Sequence, residues 1–240
     1  MIITSRSNPL AKKIIALGDK KYRREYGEYI VEGIKPVCEC VKANMPVTQI
    51  ICTQEYAQSF INPVVVSEEL FGFISTEKTP QGALATVKIP DLSVKKPKGN
   101  CLLLDKLQDP GNLGTIIRTA NAAGYEDIYL VNCTDAFSPK AVRASMSGIF
   151  FVNIHTGGYE EVFSALEDTP LITADMSGED IFKFTSPERF CLCIGNEGNG
   201  VSAEVRNKSD YKIRIPMRDT CESLNAAVSA AVAMYTLKVK

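Results

Sequence analysis

Three loops of this 240-residue chain carry side chains that could act on a nucleotide-like ligand. In the first loop, Asn112 opens a predicted helix and Arg118 follows within two turns. The free N–H groups at a helix start can bind an anion, and Arg118 could reach the same place. Asn112 could equally be only a helix cap, with Arg118 an ordinary surface residue.

The second loop, residues 195–200, contains three glycines and directly follows a predicted buried strand at 190–194. Glycine permits a positive φ and lets a ligand approach the backbone closely. The loop matches neither the dinucleotide fingerprint GxGxxG nor the phosphate loop that ends in Gly-Lys-Ser/Thr. Its one acidic residue, Glu197, is therefore its most distinctive element.

The third loop leads from Ile215 and Met217 to a predicted final helix over 223–238. Ser223 is a suitable N-cap for that helix, and Asn225 would lie in its first turn. Apolar residues at helical spacing give the helix a stripe that could face a core or a partner. An ordinary capped helix remains the alternative interpretation of this segment.

Residues that usually signal metal or nucleophilic catalysis are sparse in this sequence. The one histidine, His155, lies at a predicted strand end, and no GxSxG motif accompanies it. The eight cysteines form no CxxC pair, so we expect reduced thiols and no metal site.

The elements that must position these loops alternate between strands and helices from residue 101 onwards, and this pattern predicts an α/β fold with a parallel sheet. Ligands of such sheets bind beyond the carboxyl ends of the strands. The sequence pattern over residues 1–90 predicts a smaller α/β unit whose first helix begins at Pro9. Residues 91–100 have the composition of a linker. We therefore expect a second domain over 101–240. The other predicted elements that matter below are helices over 112–123 and 139–147 and a strand over 149–154.

The charge of the chain is balanced overall, with 27 Lys and Arg against 28 Asp and Glu, but it is uneven along the sequence. Residues 1–26 carry seven basic and two acidic side chains, which could bind phosphates or could form only a solvated helix face. No apolar run is long enough for a membrane helix, and the N-terminus lacks the features of a signal peptide. We expect a soluble cytoplasmic protein.

Taken together, the loops resemble the three sequence motifs of the SpoU/TrmH family, RNA ribose 2′-O-methyltransferases of the SPOUT superfamily. The first motif corresponds to Asn112-Leu113-Gly114 with Arg118-Thr119-Ala120, the second to 194–200, and the third to Ile215-Pro216-Met217 with 222–225. The segment 138–145 is similar to the helix between the family's first and second motifs. Residues 1–90 resemble the family's L30e-like substrate-binding domain, with lower specificity.

The resemblance implies a C-terminal SPOUT domain with a deep trefoil knot, a homodimer, and S-adenosylmethionine as cofactor. Under it, the cofactor contacts Gly195, Ile215, Met217 and Leu224. The catalytic or RNA-contacting positions implied by the resemblance are Asn112, Arg118, Glu197, Ser223 and Asn225.

The position of Arg118 is proposed in the family to take the proton of the ribose 2′-OH. Arginine is hard to deprotonate, so Arg118 could instead hold a phosphate and stabilise the developing alkoxide. Glu197 would position Arg118 or the ribose.

We expect an RNA substrate, ribosomal rather than transfer RNA, because the N-terminal extension resembles the ribosomal branch of the family. The residues expected to bind RNA are Lys12, Lys13, Lys20, Lys21, Arg23 and Arg24. A non-catalytic RNA-binding protein with the same fold is the second hypothesis. A dinucleotide oxidoreductase is disfavoured, because no GxGxxG motif follows the strand at 101–104.

Overall fold

The structure is a computed structural model and describes residues 2–196 and 198–238. The helices, in chain order, are α1 (Pro9–Ala16), α2 (Lys20–Tyr26), α3 (Ile34–Lys42), α4 (Glu68–Ile74), α5 (Pro110–Ala123), α6 (Pro139–Ala144), α7 (Tyr159–Ala165), α8 (Ala203–Lys208) and α9 (Ala226–Lys238). The strands are β1 (Glu28–Glu32), β2 (Val47–Thr53), β3 (Val64–Val66), β4 (Ala83–Lys88), β5 (Cys101–Asp105), β6 (Asp127–Val131), β7 (Asn153–Thr156), β8 (Leu171–Asp180), β9 (Cys191–Ile194) and β10 (Tyr211–Arg214).

The chain forms two compact units, and each contains one sheet. The first unit is Met1–Pro90 with Asp135–Phe150, and the second is Asp91–Thr134 with Phe151–Lys240. The prediction from sequence placed 135–150 with the C-terminal domain, whereas the structure groups this segment with the first unit. The reason is a set of long-range contacts, in which Arg23 pairs with Asp135 and the ring of Tyr29 packs against Phe137 at 4.9 Å.

In the first unit, four strands form a mixed sheet in the order β1-β4-β2-β3. The β1/β4 and β4/β2 pairings are antiparallel, and β2/β3 is parallel. The predicted helix from Pro9 is present and is capped by Asn8, whose side chain accepts from Leu10 N at 2.9 Å. Helix α2 was not predicted. It begins after Gly18, and the side chain of Asp19 caps it.

In the second unit, six strands form the predicted parallel sheet in the order β10-β8-β9-β5-β6-β7. Every pairing in this sheet is parallel. The central strands β5, β6 and β9 are buried along their whole length, as expected for a parallel sheet covered on both faces. The order places β9 beside β5, so the loops that follow these two strands leave the same edge of the sheet.

Three predicted element boundaries are corrected by the structure. Helix α5 begins at Pro110, because the Asp109 side chain caps it by accepting from Asn112 N at 2.8 Å. The last helix begins at Ala226 rather than Ser223. The strand predicted over 149–154 is a short 3-10 helix at Gly148–Phe150 followed by β7.

Residues 91–100, which have the composition of a linker, are fixed to the second unit by hydrogen bonds. Leu92 O accepts from Thr156 N at 2.9 Å, and Lys95 O accepts from the Tyr129 hydroxyl at 2.6 Å. Further along, Lys98 N donates to a carboxylate oxygen of Asp127 at 3.1 Å. Despite its linker-like composition, the segment is therefore held against the sheet of the second unit.

His155 lies next to the last residue of β7, in agreement with the predicted strand end, and it is buried in this attachment. Its Nδ1 lies 2.7 Å from Ser93 O and its Nε2 lies 3.0 Å from Asp127 Oδ1. Burial alone would lower the pKa of His155, but the hydrogen bonds to Asp127 and Ser93 outweigh it and raise the pKa. Because a carbonyl and a carboxylate only accept, the arrangement favours an imidazolium that donates from both nitrogens.

Candidate active site

The loops after β9 and β10 enclose a cavity of about 460 Å³ within the second unit. Its walls are built mainly from residues 174–176, 194–196, 198–201, 213–215 and 222–224, with Met217 and Ala226, and α9 closes one side. The four residues predicted to contact a cofactor, Gly195, Ile215, Met217 and Leu224, all line it, together with Ser223. Its size and its mixture of apolar side chains and polar backbone are those of a small-molecule site.

Gly195 lies where two backbone segments of its own loop meet. Asn196 N donates to Gly200 O at 2.9 Å, and Gly200 N donates to Asn196 O at 3.0 Å. A Cβ atom at position 195 would lie 2.1 Å from Gly200 C and 2.3 Å from Val201 N. The sequence suggested that this glycine leaves room for a ligand, and the structure adds that it leaves room for the returning loop itself.

The side chain of Asn196 holds this loop in shape, a role that sequence analysis missed. Its Oδ1 accepts from Gly198 N at 3.0 Å and from Asn199 N at 3.2 Å. Its Nδ2 donates to Lys106 O, directly after β5, at 2.9 Å. Asparagine is a common turn former that bonds to the backbone two residues on, and this preference was the available signal.

Asp105 is a second residue that sequence analysis missed. It ends β5, is fully buried, and accepts from Ser202 N and from the Tyr159 hydroxyl, each at 2.6 Å. Ser202 caps α8, just after the glycine loop. A carboxylate at the end of an otherwise apolar buried strand was the sequence signal. Asp105 and Asn196 thus attach the glycine loop to the end of β5.

Asn112 and Asn225, from the first and third loops, meet directly. Asn225 Nδ2 donates to Asn112 Oδ1 at 3.0 Å. Asn225 Oδ1 also caps α9 by accepting from Ala227 N at 2.9 Å and from Val228 N at 3.3 Å. The cap of this helix is therefore Asn225, not Ser223. The bond joins the first turn of α5 to the start of α9, as expected if the two motifs form one site.

Replacing Asn225 with aspartate should separate its two roles. The carboxylate keeps an oxygen for the helix cap, so the melting temperature should stay close to wild type. It has no N–H for Asn112 and places an acceptor against an acceptor, so the methyl transfer that the motifs imply should fall by about tenfold or more as the site loosens. Single-turnover kinetics and thermal melting measure the two effects. Unchanged kinetics would mean that the bond to Asn112 has no part in the reaction.

Of the remaining predicted catalytic residues, Arg118 and Ser223 are exposed, and Glu197 lies outside the described residues. Arg118 lies on α5, and Ser223 lies in the cavity wall. The structure thus brings together Asn112 with Asn225, and Ser223 with the predicted cofactor residues. The roles of Arg118 and Glu197 remain predictions.

The predicted RNA-binding residues, all in the first unit, divide into exposed and structural groups. Lys12, Lys20, Lys21 and Arg24 are exposed, whereas Lys13 pairs with Glu28 at 2.8 Å. The prediction for Arg23 is corrected, since its side chain is only 4% exposed.

The Arg23 guanidinium binds protein groups instead of phosphate. Its Nε and Nη2 donate to Asp135 at 3.0 and 2.6 Å, and its Nη1 donates to Leu17 O and Gly18 O at 2.7 and 2.8 Å. Through these bonds, Arg23 joins the 135–150 segment to the turn between α1 and α2.

Residues 2–196 and 198–238 contain no group of three or more His, Cys, Asp or Glu side chains that could hold a metal ion. Within the same residues, no helix is long and apolar enough to cross a membrane.

Comparison with protein-family models matches both parts of the chain. Residues 99–235 match the SpoU rRNA Methylase family, and residues 8–85 match the MRM3-like substrate binding domain. The first match covers the three loops and the cavity, and the second covers the small mixed sheet.

Similar proteins extend over nearly the whole chain. The 23S rRNA (guanosine(2553)-2′-O)-methyltransferase RlmP of Bacillus subtilis is 32% identical, with 98% of each chain aligned. The 23S rRNA (uridine(2479)-2′-O)-methyltransferase of Streptomyces viridochromogenes is 30% identical over 97% of this chain and 90% of its own.

Solved structures agree with these sequence matches. The AdoMet-bound rRNA methyltransferase from Sinorhizobium meliloti superposes with a TM-score of 0.90 at 26% identity, covering 100% of this chain and 97% of its own. AviRb from Streptomyces viridochromogenes, in complex with AdoMet, gives 0.86 at 26% identity, with 97% of both chains covered. With a family model matched over more than half of its length and a relative 32% identical over 98% of it, the chain belongs to the SpoU rRNA methylase family.

Proposed function

We propose that this protein transfers the methyl group of S-adenosylmethionine (AdoMet) to a ribose 2′-hydroxyl of ribosomal RNA. The observation that carries the proposal is the cavity that gathers Gly195, Ile215, Met217 and Leu224 beside the Asn112–Asn225 bond. Full-length relatives named as 23S rRNA 2′-O-methyltransferases and two AdoMet complexes of similar fold support it.

The residues present fit AdoMet. The cavity wall combines backbone groups around Gly195 with apolar side chains from Ile215 and Leu224, which can exclude water from an adenine ring. Its opposite charges, on Asp175 and Arg206, match a zwitterionic amino acid group. When bound, AdoMet supplies a methyl group on a positively charged sulfur, which an alcohol oxygen can attack.

The polar residues of the first and third loops would orient the acceptor ribose. Asn225 Nδ2 donates to Asn112 Oδ1, which fixes the orientation of the Asn112 side-chain amide. Arg118, exposed on α5, would bind a phosphate of the target nucleotide and stabilise the negative charge that develops on the attacking oxygen. Correct alignment of the two reacting groups supplies much of the rate enhancement in such transfers.

The first unit would hold the RNA through the exposed cations of α1 and α2. Tyr22 and Tyr26 are also exposed, and the amino groups of Lys21 and Lys13 each lie 5.4 Å from one of their rings. Basic groups interleaved with aromatic rings suit an RNA whose unpaired bases can stack.

Substituting Lys20, Lys21 and Arg24 together with glutamine should weaken RNA binding and flatten its salt dependence. Each lost phosphate contact should reduce the slope of log affinity against log salt by about 0.7 to 0.9. Filter binding from low to moderate salt measures this slope. A matched control replaces two exposed lysines on other elements of the same unit, Lys42 and Lys88, and should leave it unchanged. An identical slope in the test variant would contradict the assignment.

Three finer features belong to the same proposal. The protein would act in the cytoplasm as a homodimer, for which the exposed Val228 and Tyr235 of α9 offer an apolar surface. The segment after β9 would thread through a loop to form the trefoil knot of SPOUT proteins. Light scattering at several concentrations tests the dimer.

Mapping ribose methylation by mass spectrometry in total RNA, with and without the gene, tests the function directly. Loss of one 2′-O-methyl mark in ribosomal RNA is the expected result. Loss of a mark in transfer RNA would show that the substrate is transfer RNA instead of ribosomal RNA. No lost mark, together with no calorimetric binding of AdoMet, would favour the non-catalytic alternative.

A further inference from the structure

The cavity wall contains a pair of opposite charges that none of the three motifs includes. Asp175, in β8, and Arg206, in α8, both line the cavity, and Arg206 Nε lies 3.3 Å from Asp175 Oδ2. The Asp175 side chain is 14% exposed and that of Arg206 is 48% exposed. The arginine therefore reaches solvent or a ligand, while its partner is held within the protein.

Asp175 is itself fixed by its neighbours. Its Oδ1 accepts from the backbone N–H of Ser177 at 2.9 Å and from the Ser177 hydroxyl at 2.7 Å. These bonds, with the nearby charges of Arg206 and Lys212, hold the pKa of Asp175 below its usual value. The carboxylate is therefore charged at neutral pH and restrains one side of the Arg206 guanidinium.

The far side of that guanidinium has weak protein contacts. Within residues 2–196 and 198–238, the one hydrogen-bond distance from its terminal nitrogens is 3.4 Å, from Nη2 to Val201 O. A usual N–H···O bond is about 2.9 to 3.0 Å, so this contact is long. An arginine held at Nε, with its terminal nitrogens still able to donate, is prepared for a carboxylate.

We propose that Arg206 binds the carboxylate of the amino acid group of AdoMet, and that Asp175 is the positioning residue that holds Arg206 in the cavity wall. The inference rests on the proposed function, since it names the part of that cofactor which these residues recognise. An α-amino acid carries a carboxylate and an ammonium group on one carbon. The Asp175–Arg206 pair presents the complementary charges 3.3 Å apart.

Decarboxylated AdoMet is the sharpest probe, because it lacks only the carboxylate. We expect the full-length wild-type protein to bind AdoMet about tenfold more tightly than the decarboxylated form, as for the loss of one charged hydrogen-bonded contact. Arg206→Ala should weaken AdoMet binding by about the same factor and remove the preference, because both ligands then lack the contact. Isothermal titration calorimetry gives the four dissociation constants.

Two controls separate this contact from general electrostatics. Arg214→Ala removes an equal charge from the same cavity wall, where Arg214 Nε donates to Gly178 O at 3.1 Å. Lys208→Ala removes a charge from α8 outside the cavity wall. Both variants should keep most of the preference for AdoMet. Loss of the preference in Arg214→Ala to the same extent as in Arg206→Ala would overturn the proposal.

The remaining outcomes distinguish this inference from the function on which it rests. A wild-type protein that binds neither ligand would contradict the proposed function and the inference together. A wild type that binds AdoMet, with a preference that survives in Arg206→Ala, would contradict the inference alone. Thermal melting of each variant checks that the exposed substitution leaves the fold intact.

Discussion

Replacing Arg118 with alanine should lower kcat for RNA methylation by about a hundred- to a thousandfold, the usual cost of removing one group that stabilises a developing oxyanion. Arg118 is exposed on α5 and is absent from the described lining of the cavity, so the affinity for AdoMet should stay near wild type. Single-turnover kinetics and calorimetry measure the two quantities. A variant with near-normal kcat would remove Arg118 from the catalytic machinery.

Arg118→Lys distinguishes a proton acceptor from a fixed positive charge. Lysine loses its proton near pH 10.4, far below arginine. If position 118 acts through its charge, the lysine variant should keep part of the activity at pH 7 and lose it as the pH approaches 10. If position 118 takes the proton, activity should rise over that range instead. We expect the fall, because a guanidinium group acts through its fixed positive charge.

The second unit was largely predictable because its pattern is local. Buried apolar runs such as Cys101–Leu104 and Phe190–Ile194 stand between helices with clear start and stop signals, as at Gly124. Such alternation predicts a parallel sheet and directs attention to the loops after the strands. The resemblance of these loops to the family's motifs then implied Gly195, Ile215 and Leu224 as cofactor contacts, and the structure places them in one cavity.

Features that depend on long-range contacts could not be predicted. Arg23 looks like any other basic residue of its cluster, yet its partner Asp135 is 112 positions away. That contact also explains why 135–150 belongs with the first unit, although its sequence only indicates a helix between strands. The caps at Asp109 and Asn225 were missed for a related reason, since several nearby polar residues were equally suitable from sequence.

In the candidate site, too, local motifs were predictable from sequence, whereas long-range contacts that hold the loops were not. The motifs indicate which residues meet a substrate, but not which residues hold the loops. Asn196 and Asp105 hold them through bonds to Lys106 O and Ser202 N, which the sheet order alone makes possible. We therefore expect the shape of the glycine loop to determine cofactor affinity as strongly as the residues that touch the cofactor.

Gly195→Ala tests that expectation and should be among the most damaging single substitutions in the loop. The added Cβ would lie 2.1 Å from Gly200 C, an atom of the backbone that cannot rotate away. The loop must shift, and a displacement of about 1 Å in a positioned site can cost about a hundredfold in rate. We expect kcat/KM to fall by about that factor, with a clear loss of AdoMet affinity by calorimetry.

Gly198→Ala is the matched control, because it adds the same methyl group to the same loop. Among the described residues, the atom nearest to its Cβ would be Asn196 Oδ1 at 3.6 Å, an ordinary van der Waals distance. This variant should bind AdoMet much more tightly than Gly195→Ala does, because its added methyl group forces no backbone shift. If both alanines were equally harmful, general rigidity of the loop would explain the effect. A harmless Gly195→Ala would show that the cavity does not depend on the close approach of Gly195 to Gly200.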